Sequence, residues 1–433
     1  MEGWQSPVEK YSLPENHASI AVAADTAPQW RKLLSYAGLG FIISVGYMDP
    51  GNWATDIAGG SLYGYTLLSV VLLSSMAAMF LQHLSLKLGV ASDRDLAQAC
   101  RDAYRPGVNF CLWVLAEMAI AATDLAEVIG SAIALNILFG LELWIGVLIT
   151  ASDVLVILLL QARSFRYLEF IIFCLCFIIA VCFIAVLVIV NPNWALVARG
   201  LVPNPVILTD PGMLFVAIGI LGATVMPHNL YLHSSVIQTR KYERSKEGKR
   251  LAIKYGTWDS SLSLTLAFFI NAAILIMGAS VFYYGSNPQE VADISVASKL
   301  LEPALGSSAA PILFGVALLA AGQNSTITGT LAGQIVMEGF LRIRLKPWLR
   351  RLITRGIAIV PAAITAALMG KQGLVRLLVL SQVILSLQLS FAVVPLVHFT
   401  SSRKYMGSHA NGRCLIVFSW ILAAIFACLN ILL

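Results

Sequence analysis

Residues 46–56 read "GYMDPGNWATD", and they interrupt one of the most apolar neighbourhoods of the chain. "LLSYAGLGFIISV" (33–45) precedes them and "LLSVVLLSSMAAMFLQHL" (67–84) follows soon after. A carboxylate, a proline, a glycine and an amide therefore stand side by side where a membrane helix should run. That the surroundings are membrane follows from the whole chain. Of its 433 residues 58% are hydrophobic and only 12% are charged, about half the charge of a soluble domain. Mean hydropathy is +0.80, and apolar runs of roughly 18 residues or more, enough to span a bilayer, recur. The pattern predicts an all-α polytopic membrane protein.

Eleven spans are predicted, near 33–62, 66–90, 108–137, 143–160, 167–190, 212–239, 257–284, 309–341, 348–370, 373–400 and 413–432. Residues 1–30 are polar and mixed, without the short apolar core of a signal peptide, and are read as a cytoplasmic tail. With that end inside, 24 Lys and Arg fall in cytoplasmic segments and four in outer ones, and Lys10 lies in the tail. The asymmetry predicts a cytoplasmic N-terminus and a C-terminus outside. It also accounts for the net charge of +6 without nucleic acid. Seven cysteines lie in or near apolar spans, odd in number and with no zinc spacing, so neither a disulfide framework nor a structural metal is expected.

A second interruption, "GILGATVMPHNLYLHSS" (219–235), falls in the sixth span. Five spans separate it from the first, and an odd number reverses direction through the bilayer. Residues 31–190 and 191–400 thus read as a 5+5 inverted repeat, with broken helices one and six and with 401–433 appended as span eleven. Paired discontinuous helices point to a transporter's binding site. Pro50 and Pro227 disrupt the helical ladder, and Gly51 tolerates unusual backbone angles. Carbonyls freed near Gly46 and Ala223 are tolerable only if they line a polar cavity, where they can ligate a cation.

Asp49 and Asn52 at the first break and Met226 at the second complete an unusual donor set. A carboxylate at mid-span costs about 2.5–3.5 kcal/mol on insertion scales and marks function. Oxygen donors alone suit magnesium or calcium, whereas a thioether favours transition metals from manganese to zinc.

"DPGN" in span one together with "MPH" in span six resembles the Nramp family of proton-coupled divalent metal transporters. The likeness continues in "ATDLAE" (122–127), "GQNSTITGTLAGQIVMEGF" (322–340) and "LSQVILS" (380–386). It implies a LeuT-type fold and import of Mn²⁺, Fe²⁺ and related ions such as Cd²⁺, Zn²⁺ and Co²⁺ with protons, without a cofactor. Position by position, the resemblance gives as metal ligands the Asp49 and Asn52 side chains, the Met226 sulfur and the carbonyls of Gly46 and Ala223. Gln382 joins as the site closes.

Other intramembrane ionisable groups remain. Glu117, Asp124 and Glu127 recur at intervals of seven and three and share a face of span three. His228 stands two residues after Met226, and His233 five further on. These outline a proton route from Asp49 through His228 or Glu127 to Asp124, and in the family on to basic residues matching Arg350 and Arg351, with Arg240 closing span six. Asp153 receives no role.

Three alternatives stand beside the metal carrier: a magnesium-selective relative, which Met226 disfavours; a metal-gated channel or sensor; and a sodium-coupled carrier of organic solutes, whose substrate carboxylate Asp49 would repel. No phosphate loop or nucleophile constellation suggests an enzyme. The expected partners are the divalent ion, protons and the bilayer; a monomer suffices. Short outer loops without a glycosylation sequon fit a bacterial inner membrane.

Overall fold

The long apolar runs become helices because in hydrocarbon every backbone amide and carbonyl must find its partner within the segment. The computed structural model describes residues 12–23, 27–152, 164–285, 291, 293–343 and 345–432. Among them, nine helices are long and apolar enough to cross a bilayer. They match nine of the eleven expected segments. The first segment is instead three pieces, α1 (Gln29–Tyr36), α2 (Leu39–Val45) and α3 (Pro50–Tyr63). The fourth begins as α7 (Leu143–Ile149) and a 3₁₀ turn to Ser152; the rest of it, with Asp153, lies outside the described residues.

The other main helices follow in order, with short turns between some of them. They are α4 (Leu68–Ser92), the short α5 (Leu96–Ala103), α6 (Pro106–Phe139) and α8 (Phe165–Val190). The sixth span splits into α9 (Pro211–Thr224) and α10 (Pro227–Val236). Then come α11 (Lys246–Gly278), α12 (Ile294–Leu305), α13 (Ala309–Leu341), α14 (Pro347–Ser401) and α15 (Arg413–Leu432). Helix α14 is two spans joined at Gly370, whose φ of 58° and ψ of −142° only glycine adopts readily. At 34 residues α6 is about 51 Å long, more than a bilayer core requires, and it backs both broken helices.

Polarity runs inside out. On α8, Phe170, Phe177, Ile184 and Val188 are exposed, as suits a surface bathed in lipid. Asp49, Asp124, Glu127, His228, His233 and Arg355 are buried in the bundle. Small residues let the backbones meet: the Pro50 ring occupies the space that a side chain at Gly130 of α6 would fill. Just beyond the first break, Trp53 is wholly buried, edge-on to Phe183 of α8 and Phe314 of α13 at centroid distances of 4.9 and 5.2 Å. It locks α3 to two helices at once.

The described part of the N-terminal segment is tied down. Strand β1 (Ile20–Ala21) pairs in parallel with β2 (Arg240–Lys241), Ile20 opposite Arg240. Leu13 and Ile20 are buried, and the Ser12 hydroxyl donates to the Asp95 carboxylate that caps α5. The chain entering span one is thus fastened to the chain leaving span six.

Trp53→Ala, which empties the slot between α8 and α13, should destabilise the protein by about 3–5 kcal/mol, read as a lowered melting midpoint in detergent. Trp53→Phe should recover most of the loss.

Candidate functional site

Both breaks are built alike. At each, a half-helix ends, an extended residue caps the next half-helix, and proline takes the first helical position, where a missing N–H does no harm. Asp49 caps α3 at the first break and Met226 caps α10 at the second. Pro50 lies four residues after Gly46 and Pro227 four after Ala223. Each carbonyl would bond to the amide hydrogen four positions on, and proline has none. The Gly46 and Ala223 carbonyls therefore lose their helical partner at the C-terminal, partially negative ends of α2 and α9. Neighbouring carbonyls are better served. Asn271 Nδ2 donates to the Tyr47 carbonyl at 2.7 Å, and Trp53 Nε1 to that of Met48 at 3.1 Å.

Asp49 is fully buried, and its carboxylate is held in three ways. Oδ2 accepts from the Gly51 amide at 3.1 Å. Oδ1 accepts from the Asn52 amide at 3.0 Å and from Asn52 Nδ2 at 2.7 Å. The positive end of α3 thus faces an anion that the chain itself supplies. Because Asn52 spends its NH₂ on Asp49, its amide oxygen remains available as a donor.

The expected ligands come from three directions. Gln382 of α14 lays its carboxamide against Gly51, where a side chain at position 51 would collide with it. Met226 is wholly buried and packs with Ala119 and Ala122 of α6 and Leu385 of α14. A cavity of about 420 Å³ opens above Gln382, lined by Thr55 and Ala58 of α3, Gly219 and Gly222 of α9, and Ser386 of α14. Among the described residues no three His, Cys, Asp or Glu side chains cluster as a metal cage. The donors at the breaks are instead mixed oxygen and sulfur, which suits a cation that must be released.

The span-three acids meet bases, though not all the expected ones. Glu117 accepts from Arg350 Nη2 at 3.1–3.2 Å. Glu127 accepts from Ser325 at 2.9 Å and Thr326 at 2.9 Å, with Arg355 Nη1 3.7 Å away. Arg355 also donates to Thr326 at 2.6 Å and to the Asp124 carbonyl at 3.3 Å. Arg355 is buried between α6 and α13; the expected Arg351 side chain lies outside the described residues. Glycines make the fit possible. Gly329 lies against the carboxylates of Asp124 and Glu127, and Gly333 leaves room for the Arg350 guanidinium.

His228 Nδ1 is 3.4 Å from the Thr123 hydroxyl, joining the second break to the span-three face. His233 Nδ1 pairs with Gln82 Oε1 at 2.9 Å, and Gln82 Nε2 donates to the Tyr47 hydroxyl at 2.7 Å. His233 thus ties α10 to the first break. Arg240 belongs to a different cluster. It pairs with Glu169 Oε1 at 2.8 Å and donates to the carbonyls of Tyr36 and Ala37, where α1 ends before Gly38. Gly38, at a φ of 107°, turns the chain there.

Several polar residues of the site were not anticipated. Asp56, inside the opening stretch and seven residues after Asp49, is a second wholly buried carboxylate on α3. Its spacing from Asp49 is the signal that would have found it. Thr123, Ser325 and Thr326 sit in quoted motifs, but hydroxyls are too common in membrane helices to stand out.

A family model described as natural resistance-associated macrophage protein-like (Nramp) matches residues 40–433. The divalent metal cation transporter MntH of Nostoc sp. is 57% identical over 98% of this chain and 96% of its own length. That of Listeria innocua is 56% identical over 99% and 96%. A manganese transporter of Eremococcus coleocola, crystallised with an aromatic bis-isothiourea substituted compound, aligns with a TM-score of 0.90 at 41% identity. The match covers 98% of this chain and 90% of that one. A nucleobase-cation-symport-1 transporter at 14% identity and a TM-score of 0.59 shares the fold alone. Matched from residue 40 to its last residue, the chain belongs to the Nramp family and has an all-α, LeuT-type transporter fold.

Proposed function

We propose that this protein is a secondary transporter that imports divalent transition-metal ions, Mn²⁺ and Fe²⁺ foremost, together with protons by alternating access. The observation that carries the reading is the pair of proline-delimited breaks. Each loses a helical partner for one carbonyl, at Gly46 and Ala223, and between them they carry Asp49, Asn52 and Met226. The relatives' names, divalent metal cation transporter and manganese transporter, point the same way. The two breaks also support reading 31–190 and 191–400 as inverted repeats. The basic residues favour a cytoplasmic N-terminus and an outer C-terminus in a bacterial inner membrane.

In this reading the ion enters through the cavity above Gln382 and exchanges water for the carbonyls of Gly46 and Ala223, the Asp49 and Asn52 oxygens and the Met226 sulfur. Gln382, already against Gly51, closes the site from the outer side. A proton arriving from outside first protonates Asp49, and metal binding displaces it. That proton then moves by way of His228 and Thr123 to the Asp124–Glu127 face, whose charge Arg355 balances, and on past the Glu117–Arg350 pair. Metal and proton thus leave the first break on different sides.

Met226→Ala should leave Mn²⁺ uptake into proteoliposomes in place while removing the preference for soft ions. Competition by Ca²⁺ should strengthen roughly tenfold to a hundredfold, the range over which ligand-shell changes act. Unchanged rejection of Ca²⁺ would remove the basis for selectivity. Arg355→Ala, which strips Glu127 and Thr326 of their cation, should separate the two fluxes. Mn²⁺ should still move down its own gradient, while the accompanying acidification, followed with a trapped pH dye, is lost. Acidification that tracks Mn²⁺ entry as in the wild type would take Arg355 out of the proton route.

A further inference from the structure

Asn229 of α10 lies one helical turn beyond Met226, toward the side that the proposed orientation makes cytoplasmic. Its side chain is wholly buried, yet neither Nδ2 nor Oδ1 has a hydrogen-bond partner. Such a group is costly in a bundle core and calls for an explanation. Other buried amides nearby are employed: Asn52 Nδ2 binds Asp49 and Asn271 Nδ2 binds the Tyr47 carbonyl. Asn229 instead presses its carboxamide against Gly46. The Nδ2 atom occupies the space that a side chain at position 46 would need. Gly46 is also the residue whose carbonyl Pro50 deprives of a helical partner. Two under-used polar groups from the two inner half-helices, α2 and α10, therefore meet just inside the proposed metal site.

We infer that Asn229 is a further cation-handling residue. As the ion leaves Met226 for the cytoplasm, the Asn229 amide oxygen takes it up, and Gly46 is the residue that admits the amide to that position. Amide oxygen is a hard donor, so this contact serves Mn²⁺ more than the softer Cd²⁺, for which the Met226 sulfur does more of the holding. The amide torsion is broad and roughly two-fold, so a half-turn presents Oδ1 where Nδ2 now lies without moving the backbone. The inference rests on the transport reading and adds to it an inner ligand and a reason for glycine at position 46.

The test is uptake of Mn²⁺ and of Cd²⁺ by full-length protein in proteoliposomes, with melting midpoints measured in parallel. Asn229→Ala should raise the apparent KM for Mn²⁺ about tenfold, as loss of a metal-shell group does, and change that for Cd²⁺ much less. Its melting midpoint should hold or rise, because an amide without partners is removed. Asn229→Asp should restore the Mn²⁺ KM and make uptake sensitive to Ca²⁺. Gly46→Ala, which expels the amide, should reproduce Asn229→Ala, and the double variant should be no worse than either single one. An unchanged Mn²⁺ KM in Asn229→Ala overturns the inference, as do equal shifts for both metals accompanied by a lower melting midpoint. Asp49→Ala separates the two levels. If it abolishes uptake while Asn229→Ala is silent, only the inner ligand falls; if it transports normally, the metal site and the inner ligand fall together.

Discussion

The architecture depends on a shortage of hydrogen-bond donors in a place without water. A bilayer core offers no partner to a stray carbonyl, and proline withholds the amide hydrogen that the residue four positions earlier requires. Pro50 and Pro227 impose this shortage at Gly46 and Ala223, in spans one and six. Such backbone is tolerable only where the bundle encloses it and offers something polar. That requirement explains why α6 packs Gly130 against Pro50, and why α14 brings Gln382 against Gly51. The helices around the breaks are arranged to shelter them.

Charge in the interior follows the same rule. Asp49 survives burial because the first turn of α3 gives it two backbone amides and Asn52 a third donor. Glu127 survives because α13 supplies two hydroxyls and α14 a guanidinium. The glycines at 329 and 333 are part of this arrangement, since a side chain at either would meet the acids or Arg350. Removing one partner of a buried ion pair leaves the other charge uncompensated and is strongly destabilising. These pairs fix the positions of the span-three acids.

The α2 and α10 halves of the broken helices are held by a different set of contacts. His233, Gln82 and Tyr47 link α10, α4 and the first break. Arg240, paired with Glu169, donates to the carbonyls at the end of α1, and Arg166 donates to the same carboxylate at 3.1 Å. The β1–β2 pair fastens the N-terminal segment to the end of span six. These contacts join the α2 and α10 halves of the two broken helices, whereas the cavity beside Gln382 lies between the α3 and α9 halves. The molecule is therefore open on the α3–α9 side of the breaks and tightly joined on the α2–α10 side.

By itself the sequence determined the class of molecule, the place of both breaks and the identities of the polar residues they carry. Each of these is local: an apolar run has a length, a proline lacks a hydrogen wherever it lies, and a carboxylate at mid-span is visible in one dimension. The split of span one into three helices needed Gly38 and its φ of 107°, which no hydropathy pattern reveals. Partnership was decided only by the tertiary structure. Arg355 reads like any basic residue near a helix end, and its place beside Glu127 depends on how α14 crosses α6 and α13. Arg240 reads as a base at the end of span six, and the fold gives it to Glu169 instead. Asn229 looks like an ordinary helix residue until α2 is brought against it. Which groups meet depends on how the helices are packed and turned, and that is settled by contacts between residues hundreds of positions apart.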